Sequence, residues 1–294
     1  MNEMKKSCRT LAVYMLARNC GNTLDSAFRK LDALSKQFAA VRIFIVENNS
    51  TDDTKERIGA YARKNPNVIA DCFDDAEPDN LDRLEKLGIL RNRALSLVKM
   101  RCDIEPDYLL VIDADVDFRI GNLLRLIKKA PPDWAALTAN GKYYLQKAGI
   151  RLPVLYYDLY PYIPEGWDVP MLTEPEMHNV RFDLQRRLLF HRYVPCRSAF
   201  GGMAVYRYDA VRDNAYTREE NTRSAELPFV CEHIPFTLRL LQHENNYICR
   251  DMKVLYEPLA ADVYRMFLKR HRIQLYIRRE AKRILRQRRR KART

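Results

Sequence analysis

The stretch Asp107-Tyr-Leu-Leu-Val-Ile-Asp-Ala-Asp-Val-Asp117 tells most about the fold. Its residues 108–112 are apolar without alternation, which is typical of a strand buried on both faces of a parallel sheet. Carboxylates follow at alternate positions, as Asp113, Asp115 and Asp117. Ligands of open α/β sheets bind at the carboxyl ends of the strands, where carboxylates can hold a divalent cation against a phosphate. The alternative is that these acids cap a helix that begins near Gly121.

The segments around this strand alternate between two patterns. Short apolar runs predict strands, and longer segments with polar starts predict helices. The predicted strands before it cover residues 11–17, 41–46 and 67–73, and the predicted helices end at residue 38 or cover 55–64 and 81–100. Strands that alternate with helices at this spacing predict βαβ units. We therefore expect an α/β fold with a mostly parallel sheet flanked by helices.

The texture of the sequence changes after residue 127. Strands are predicted at residues 134–139, 198–206 and 247–256, the second interrupted by two glycines, and a helix is predicted up to about residue 242. A glycine inside a strand often marks the close approach of a ligand or of another backbone. Six tyrosines lie between residues 143 and 167. They are compatible with a surface that stacks on a sugar and equally with ordinary aromatic packing.

Composition restricts the class of protein. A chain of 294 residues with 47% hydrophobic residues can bury a sizeable core,. Residues 11–17 are too short an apolar run for a signal peptide, and no run approaches the roughly 20 residues that span a bilayer. The seven cysteines are scattered and odd in number. This pattern favours a reducing, cytoplasmic compartment over a disulfide framework.

The net charge of +13 is concentrated at the end of the chain. Residues 265–294 contain 14 Lys and Arg against one acid, Glu280, so the rest of the chain is neutral. Apolar residues interleave with these charges, which predicts a basic amphipathic helix that lies on an anionic membrane surface. A solvated tail ranks second and nucleic-acid binding third. We expect one domain over residues 1–264, followed by this basic helix.

Three motifs occur in a familiar order. They are Glu47-Asn-Asn-Ser-Thr-Asp-Asp-Thr54 after the second strand, Gly88-Ile-Leu-Arg-Asn-Arg93 on the long helix, and Asp113-Ala-Asp115. Together they resemble the motifs of nucleotide-sugar glycosyltransferases with the GT-A fold, although Leu90 stands where that family usually has alanine. The resemblance covers roughly residues 9–130, and it implies a nucleotide-binding half at 1–130 and an acceptor-binding half at 131–264. It implies a metal-dependent glycosyltransferase with a UDP- or GDP-linked sugar as donor and a glycan or lipid-linked acceptor.

The resemblance also implies roles for individual residues. Those expected to contact the nucleotide sugar are Arg18, Glu47, Asn49, Asp52, Arg91, Asp113 and Ala114. The metal, Mn²⁺ or Mg²⁺, is expected at Asp113, Asp115 and His233, where an imidazole favours Mn²⁺. Each assignment has a structural alternative. These alternatives are a strand-end acid for Glu47, helix capping for Asn49 and Asp52, a salt bridge for Arg91, a solvated loop charge for Arg18 and a structural histidine for His233.

The resemblance further implies that Glu232, which follows the Asp113-Ala-Asp115 motif by roughly 100 residues and precedes a predicted helix, is the general base of an inverting, single-displacement reaction, with Asp158 and Glu226 in reserve. The segments around Asp158, Gly201 and Glu232 resemble capsule-type mannosyltransferases and some virus-encoded glycosyltransferases, which implies GDP-mannose as donor. Two other classes of function remain open. A nucleotidyltransferase usually has a Gly-rich loop after its first strand, where this chain has only Gly21. A nucleic-acid binder led by the tail leaves the carboxylate triplet unexplained.

Overall fold

The structure is a computed structural model that describes residues 8–75, 82–119, 121–147, 150–224, 227–242 and 244–258. Two sequence predictions fall outside this part of the chain. They are the basic helix at residues 265–294 and the reserve base Glu226. No helix among the described residues has both the length and the apolar character needed to cross a bilayer.

The described residues form one sheet of eleven strands with seven α-helices around it. The strands are β1 Thr10–Ala17, β2 Ala40–Asn48, β3 Val68–Phe73, β4 Tyr108–Asp113, β5 Asp117–Arg119, β6 Trp134–Lys147, β7 Ile150–Tyr156, β8 Ile163–Pro164, β9 Tyr193–Ser198, β10 Met203–Arg207 and β11 Asn245–Pro258. The helices are α1 Gly21–Ser35, α2 Thr54–Lys64, α3 Arg83–Arg101, α4 Leu123–Lys128, α5 Glu174–Phe190, α6 Tyr208–Val211 and α7 His233–Leu238, which continues as a 3₁₀ turn over Arg239–Gln242.

The strand order is β3-β2-β1-β4-β10-β6-β11-β9-β8, with β5 beside β11 and β7 beside β6. Strands β1 to β4 are parallel to one another, and β6 is parallel to β11. Strand β10 runs antiparallel between β4 and β6. The predicted fold class, an α/β protein with a mostly parallel sheet flanked by helices, is therefore confirmed.

Both faces of the central strands are buried, as their unbroken apolar sequences predict. On one face, Val13 and Ile112 pack with residues of α1 and α4. On the other face, Tyr14 and Val111 pack with residues of α3 and α7. At about 25 cal/mol per Å² of apolar surface, burial on two faces is the main stabilising contribution to these strands. The three carboxylates after β4 thus follow a rigid strand.

The predicted single strand at residues 198–206 is wrong. The chain forms β9, turns over residues 199–202 and returns as β10, which lies elsewhere in the sheet. Gly201 and Gly202 have φ angles of 73° and 79°, a left-handed conformation that side chains with a Cβ disfavour,. Two consecutive left-handed residues end the first strand and re-aim the chain.

Helix α5 has no counterpart among the sequence predictions. It begins with a capping box, in which Thr173 and Glu176 exchange hydrogen bonds, and with a proline in its first turn,. Its buried face, which includes Leu184 and Leu188, covers β7 and β9. The aromatic segment before it contributes Tyr156 and Tyr162 to the same apolar cluster. Two of the six tyrosines are therefore packing residues.

Candidate active site

Three parallel strands end at the same edge of the sheet and bring the sequence motifs together. Glu47 at the end of β2 pairs in register with Ala17 of β1, and Asp113 of β4 pairs with Leu16. Arg91 approaches from α3, which packs against β1 and β2. The three motifs, which lie between 22 and 66 residues apart in the sequence, thus meet at the edge where α/β proteins bind ligands,.

Arg91 is the centre of the cluster. Its guanidinium is buried, with Nε donating to Glu232 Oε1 at 2.9 Å and Nη2 donating to Asp113 Oδ1 at 3.1 Å. The ring of Phe200 lies 5.0 Å from it in cation–π geometry,. The two carboxylates raise the pKa of Arg91 well above its ordinary value, although burial acts in the opposite direction. Arg91 is thus a buried cation that joins the β4 carboxylate to Glu232.

The Nη1 atom of Arg91 is buried and has no hydrogen-bond partner among the described residues. A buried donor without a partner costs about 1–3 kcal/mol. Such atoms occur at sites where a ligand or water completes the set of hydrogen bonds. The surface salt bridge considered as the alternative for Arg91 does not describe a guanidinium that is 3% exposed.

Asp113 and Asp115 differ in exposure but share one electrostatic feature. Burial raises the pKa of Asp113 to about 6, Arg91 opposes this shift, and the charge of Asp115 adds to it. Asp115 is open to solvent on one side, but the protein atoms around it raise its pKa as well. A bound cation would stabilise the ionised forms of both neighbouring carboxylates, so this arrangement favours cation binding.

The donor set at these two residues fits a hard divalent cation. Carboxylate oxygens are the ligands that Mg²⁺ and Mn²⁺ prefer, and such ions are commonly held by one or two carboxylates together with substrate phosphates. Within the described ranges, no three His, Cys, Asp or Glu side chains form a metal-binding group. His233 therefore does not complete a protein-only triad with Asp113 and Asp115. A cation at this place would be held by Asp113 and Asp115, and its remaining ligands would come from outside the described residues.

His233 is buried between aromatic rings. It stacks on Phe200 at 3.8 Å between centroids and meets Tyr216 edge-on. Burial first and the charge of Arg91 second lower its pKa well below the ordinary value, so the imidazole is neutral at pH 7. Its Nε2 lies 3.7 Å from Glu232 Oε1. These contacts place His233 beside Glu232 as a packing partner of the cluster.

Glu232 is as enclosed as Arg91. Its side chain is 5% exposed, Oε1 accepts from Arg91, and Oε2 lies 3.5 Å from the thiol of Cys231. Glu232 directly precedes α7, whose buried residues hold it against the sheet. The residue predicted as the base is therefore an internal ion-pair partner.

Glu47 is fully buried at the end of β2. Its Oε1 accepts from the Ser50 amide at 2.8 Å, and Oε2 lies 3.9 Å from Lys55 Nζ. Oε2 has no hydrogen-bond partner in the described part of the chain. Glu47 therefore has the strand-end role considered as its alternative, and it keeps one buried oxygen unpaired among the described residues.

Asn49 and Asp52 shape the loop after β2. Asn49 has a φ of 53° and exchanges two hydrogen bonds of 3.0 Å with the backbone of Asp75. Asp52 accepts from the amides of Gly21 and Thr54, at 3.1 and 3.0 Å, and thereby joins the starts of α1 and α2. These contacts favour the capping alternative for Asp52, whereas Asn49 ties the loop to the segment after β3. A nucleotide contact for either residue stays a prediction.

Three cations border this edge of the sheet. Arg18 is exposed directly after β1, and its charge, after burial, lowers the pKa of Lys86. Arg83 at the start of α3 acts electrostatically on Asp115. Sequence reasoning identified Arg18 but not Arg83 or Lys86, because the pattern of α3 does not show which face meets the site. Cations beside carboxylates suit an anionic ligand that arrives with a metal ion.

Ala114 and Asp117 occupy different surroundings. The amide of Ala114 donates to Leu16 O at 3.1 Å, and its carbonyl accepts from Thr23 at 2.7 Å, so the residue fixes the turn between Asp113 and Asp115. Asp117 forms an ion pair of 2.5 Å with Lys30. Asp117 neither caps α4, which Asn122 does, nor belongs to the cluster around Arg91.

The glycine turn before β10 joins the cluster from the other half of the chain. The carbonyl of Gly202 accepts from the Asp113 amide at 3.1 Å, and the amide of Gly201 donates to Asp158 Oδ2 at 2.6 Å. Tyr157 lies next to Gly202 and Gly141 and stacks on Tyr256 at 4.6 Å between centroids. Another backbone does approach these glycines closely, since a Cβ added at Gly201 would lie 2.2 Å from the carbonyl oxygen of Ala139.

No family model matches the sequence, and no curated protein matches it. Solved structures with similar folds include a mannosyltransferase from Pyrobaculum calidifontis in complex with GDP-mannose and Mn²⁺, at 12% identity and a TM-score of 0.46, which aligns with 83% of this chain and 56% of the other. TarS of S. aureus in complex with UDP-GlcNAc has 15% identity and a TM-score of 0.45, over 86% and 59% of the two chains. GalNAc-T7 with UDP, GalNAc and Mn²⁺ has 14% identity and a TM-score of 0.49, over 86% and 44%. The chain thus spans less than two thirds of the length of each of these three proteins.

Proposed function

We propose that this protein is a glycosyltransferase that moves a sugar from a UDP- or GDP-linked donor to a glycan or lipid-linked acceptor, with Mn²⁺ or Mg²⁺ at Asp113 and Asp115. One observation carries the proposal. At the carboxyl edge of a parallel sheet, an exposed carboxylate and a half-buried one share a raised pKa beside the buried guanidinium of Arg91. The motif resemblance and the neighbouring cations support the same ligand.

The chain's own residues would prepare the site for this ligand. Arg91 holds Asp113 in one orientation, and Glu232 holds Arg91. Arg18, Arg83 and Lys86 add positive charge near the diphosphate. A bound cation would act as a Lewis acid on the leaving diphosphate. The basic tail would add about 1 kcal/mol of attraction per basic residue to an anionic membrane, which suits a lipid-linked acceptor.

A thermal-shift panel of UDP-, GDP- and CMP-sugars with and without Mn²⁺ tests the donor. At a hundredfold excess over Kd, a ligand of the folded state adds about 2.7 kcal/mol, or roughly 5 °C in Tm for a chain of this size. We expect one nucleotide class to stand out and to need the metal ion.

The matched variants are Asp115→Ala and Asp117→Ala, which remove neighbouring carboxylates from the same segment. We expect Asp115→Ala to abolish both the metal-dependent shift and sugar transfer, because one of two cation ligands is lost. Asp117→Ala should keep both, since Asp117 is paired with Lys30 outside the cluster. Unchanged transfer by Asp115→Ala would contradict the proposed function.

A further inference from the structure

Glu232 and Asp158 are both candidate bases, and they differ in how many of their carboxylate oxygens are engaged. Both oxygens of Glu232 are engaged, because Oε1 accepts from Arg91 Nε at 2.9 Å and Oε2 lies 3.5 Å from the thiol of Cys231. Asp158 is half-buried and accepts one hydrogen bond, from the Gly201 amide to Oδ2. Within the part of the chain that the structure describes, its Oδ1 accepts none. A base needs an oxygen that can reach a substrate hydroxyl, and of these two candidate bases Asp158 is the one that keeps such an oxygen among the described residues,.

The position of Asp158 is tied to that of Asp113 through the glycine turn. Gly201 donates to Asp158, and Gly202 accepts from the amide of Asp113, so adjacent residues of one turn hold Asp158 and Asp113. Their carboxylates also repel each other electrostatically. Asp158 therefore lies across the glycine turn from Asp113 and borders the proposed cation site.

The charge environment of Asp158 suits proton transfer near neutral pH. Burial raises its pKa to about 7, the Gly201 amide opposes the shift, and the carboxylates of Asp113 and Glu232 add to it. The largest cause, burial, does not depend on whether a cation neutralises Asp113. A carboxylate with a pKa near the working pH is an effective general base.

The rings next to Asp158 provide a surface for a carbohydrate. Tyr157 and Tyr256 are stacked and half-buried, and burial first and the charge of Asp115 among the other causes raise the pKa of both phenols. Tyr143 lies 5.9 and 6.2 Å from their rings. Tyrosine faces of this kind pack against sugars while their hydroxyls remain able to form hydrogen bonds. An acceptor seated on this aromatic surface would lie beside both Asp158 and the proposed cation site.

We propose that Asp158, rather than Glu232, is the general base that deprotonates the acceptor hydroxyl; this inference rests on the proposed glycosyltransferase function. The acceptor oxygen forms a bond to the anomeric carbon while the bond from that carbon to the phosphate oxygen breaks. The nucleoside diphosphate leaves with the electron pair, and the acceptor proton moves to Oδ1 of Asp158. Glu232 is a positioning residue that acts through Arg91.

The test compares Asp158→Asn with Glu232→Gln, using the donor that gives the largest thermal shift and water as the acceptor. Asparagine keeps an oxygen for the Gly201 amide, so the turn should persist. We expect Asp158→Asn to slow release of the nucleoside diphosphate by about 10²- to 10⁴-fold, the range for loss of a general base, with nucleotide affinity within threefold of wild type. Glu232→Gln should weaken nucleotide binding or stability first, because it disturbs Arg91.

Azide distinguishes a lost base from a damaged site, since this anion attacks the anomeric carbon without giving up a proton. Added azide should restore turnover of Asp158→Asn as a glycosyl azide and should not restore Glu232→Gln. Asp158→Ser provides a second variant in case the first fails to fold. The inference is overturned if a folded Asp158 variant releases the nucleoside diphosphate in water at a rate within threefold of wild type. It is also overturned if azide does not restore the rate of that variant. The proposed function itself would instead be overturned if the wild-type protein neither bound nor hydrolysed any nucleotide sugar of the panel.

Discussion

Replacing Asp113 by asparagine should stabilise the metal-free protein while it removes sugar transfer. Burial raises the pKa of Asp113 from an ordinary 3.8 to about 6, so the ionised carboxylate is less stable in the folded than in the unfolded chain. This penalty is complete above the folded pKa and disappears below the unfolded one. Asparagine is neutral at every pH and can still accept the hydrogen bond from Arg91.

The size of the effect follows from the pKa shift. A shift of about two units corresponds to at most about 3 kcal/mol, at 1.36 kcal/mol per unit. The side chain is 28% exposed, and its titration is linked to that of Asp115. We therefore expect Asp113→Asn to raise the free energy of unfolding by about 1–3 kcal/mol at pH 8 and by roughly half as much at pH 5.

Urea denaturation in the presence of EDTA, followed by tryptophan fluorescence, measures this difference. Asp117→Asn is the control, because it removes a neighbouring carboxylate whose ion pair with Lys30 is favourable. That variant should lose up to about 1 kcal/mol. The reasoning is refuted if Asp113→Asn is less stable than wild type at pH 8, or if its gain does not shrink between pH 8 and pH 5.

Two further predictions concern the elements that hold the cluster. Arg91→Met should lower the free energy of unfolding by about 3–5 kcal/mol, because two carboxylates lose their buried partner. Urea denaturation should show that the double variant, Arg91→Met with Glu232→Gln, recovers part of this loss. Gly201→Ala should cost more than about 2 kcal/mol, since an added Cβ would overlap the carbonyl of Ala139 as well as strain a φ of 73°,. Gly121→Ala, at a φ of 62° in open space, should cost only the backbone strain, about 1–2 kcal/mol,.

Each of these comparisons has an outcome that contradicts it. A double variant no more stable than Arg91→Met would mean that the buried carboxylate of Glu232 does not lower the free energy of unfolding when Arg91 is absent. Equal losses from Gly201→Ala and Gly121→Ala would mean that the contact between the glycine turn and β6 is looser than described.

The sheet was predictable from the sequence where one physical cause dominates. Strands β1, β2 and β4 are buried on both faces, so their apolar runs admit few other structures,. The strand predicted over residues 198–206 is wrong because two left-handed glycines override a local β pattern. Helix α5 was missed because its residues lack a clear helical periodicity, although Thr173 and Glu176 form a capping box that is visible in the sequence.

The candidate site was only partly predictable. Asp113, Asp115, Arg91 and Glu47 belong to local motifs on recognisable elements, and the parallel register then brings them to one edge. The partnership of Arg91 with Glu232 spans 141 residues and depends on how α7 packs against α3. Spacing along the chain carries no information about such a contact. It also cannot show which carboxylate is saturated with hydrogen bonds.

The reversed direction of β10 has a consequence for folding. Strand β4 ends the predicted nucleotide-binding half, yet its free edge is covered only when residues 203–207 pair with it from the other half. A fragment of residues 1–130 would expose that apolar edge and tend to associate through it. In the intact chain, the amide of Asp113 is held by Gly202. Its hydrogen exchange should therefore follow cooperative opening of the whole sheet rather than local fraying.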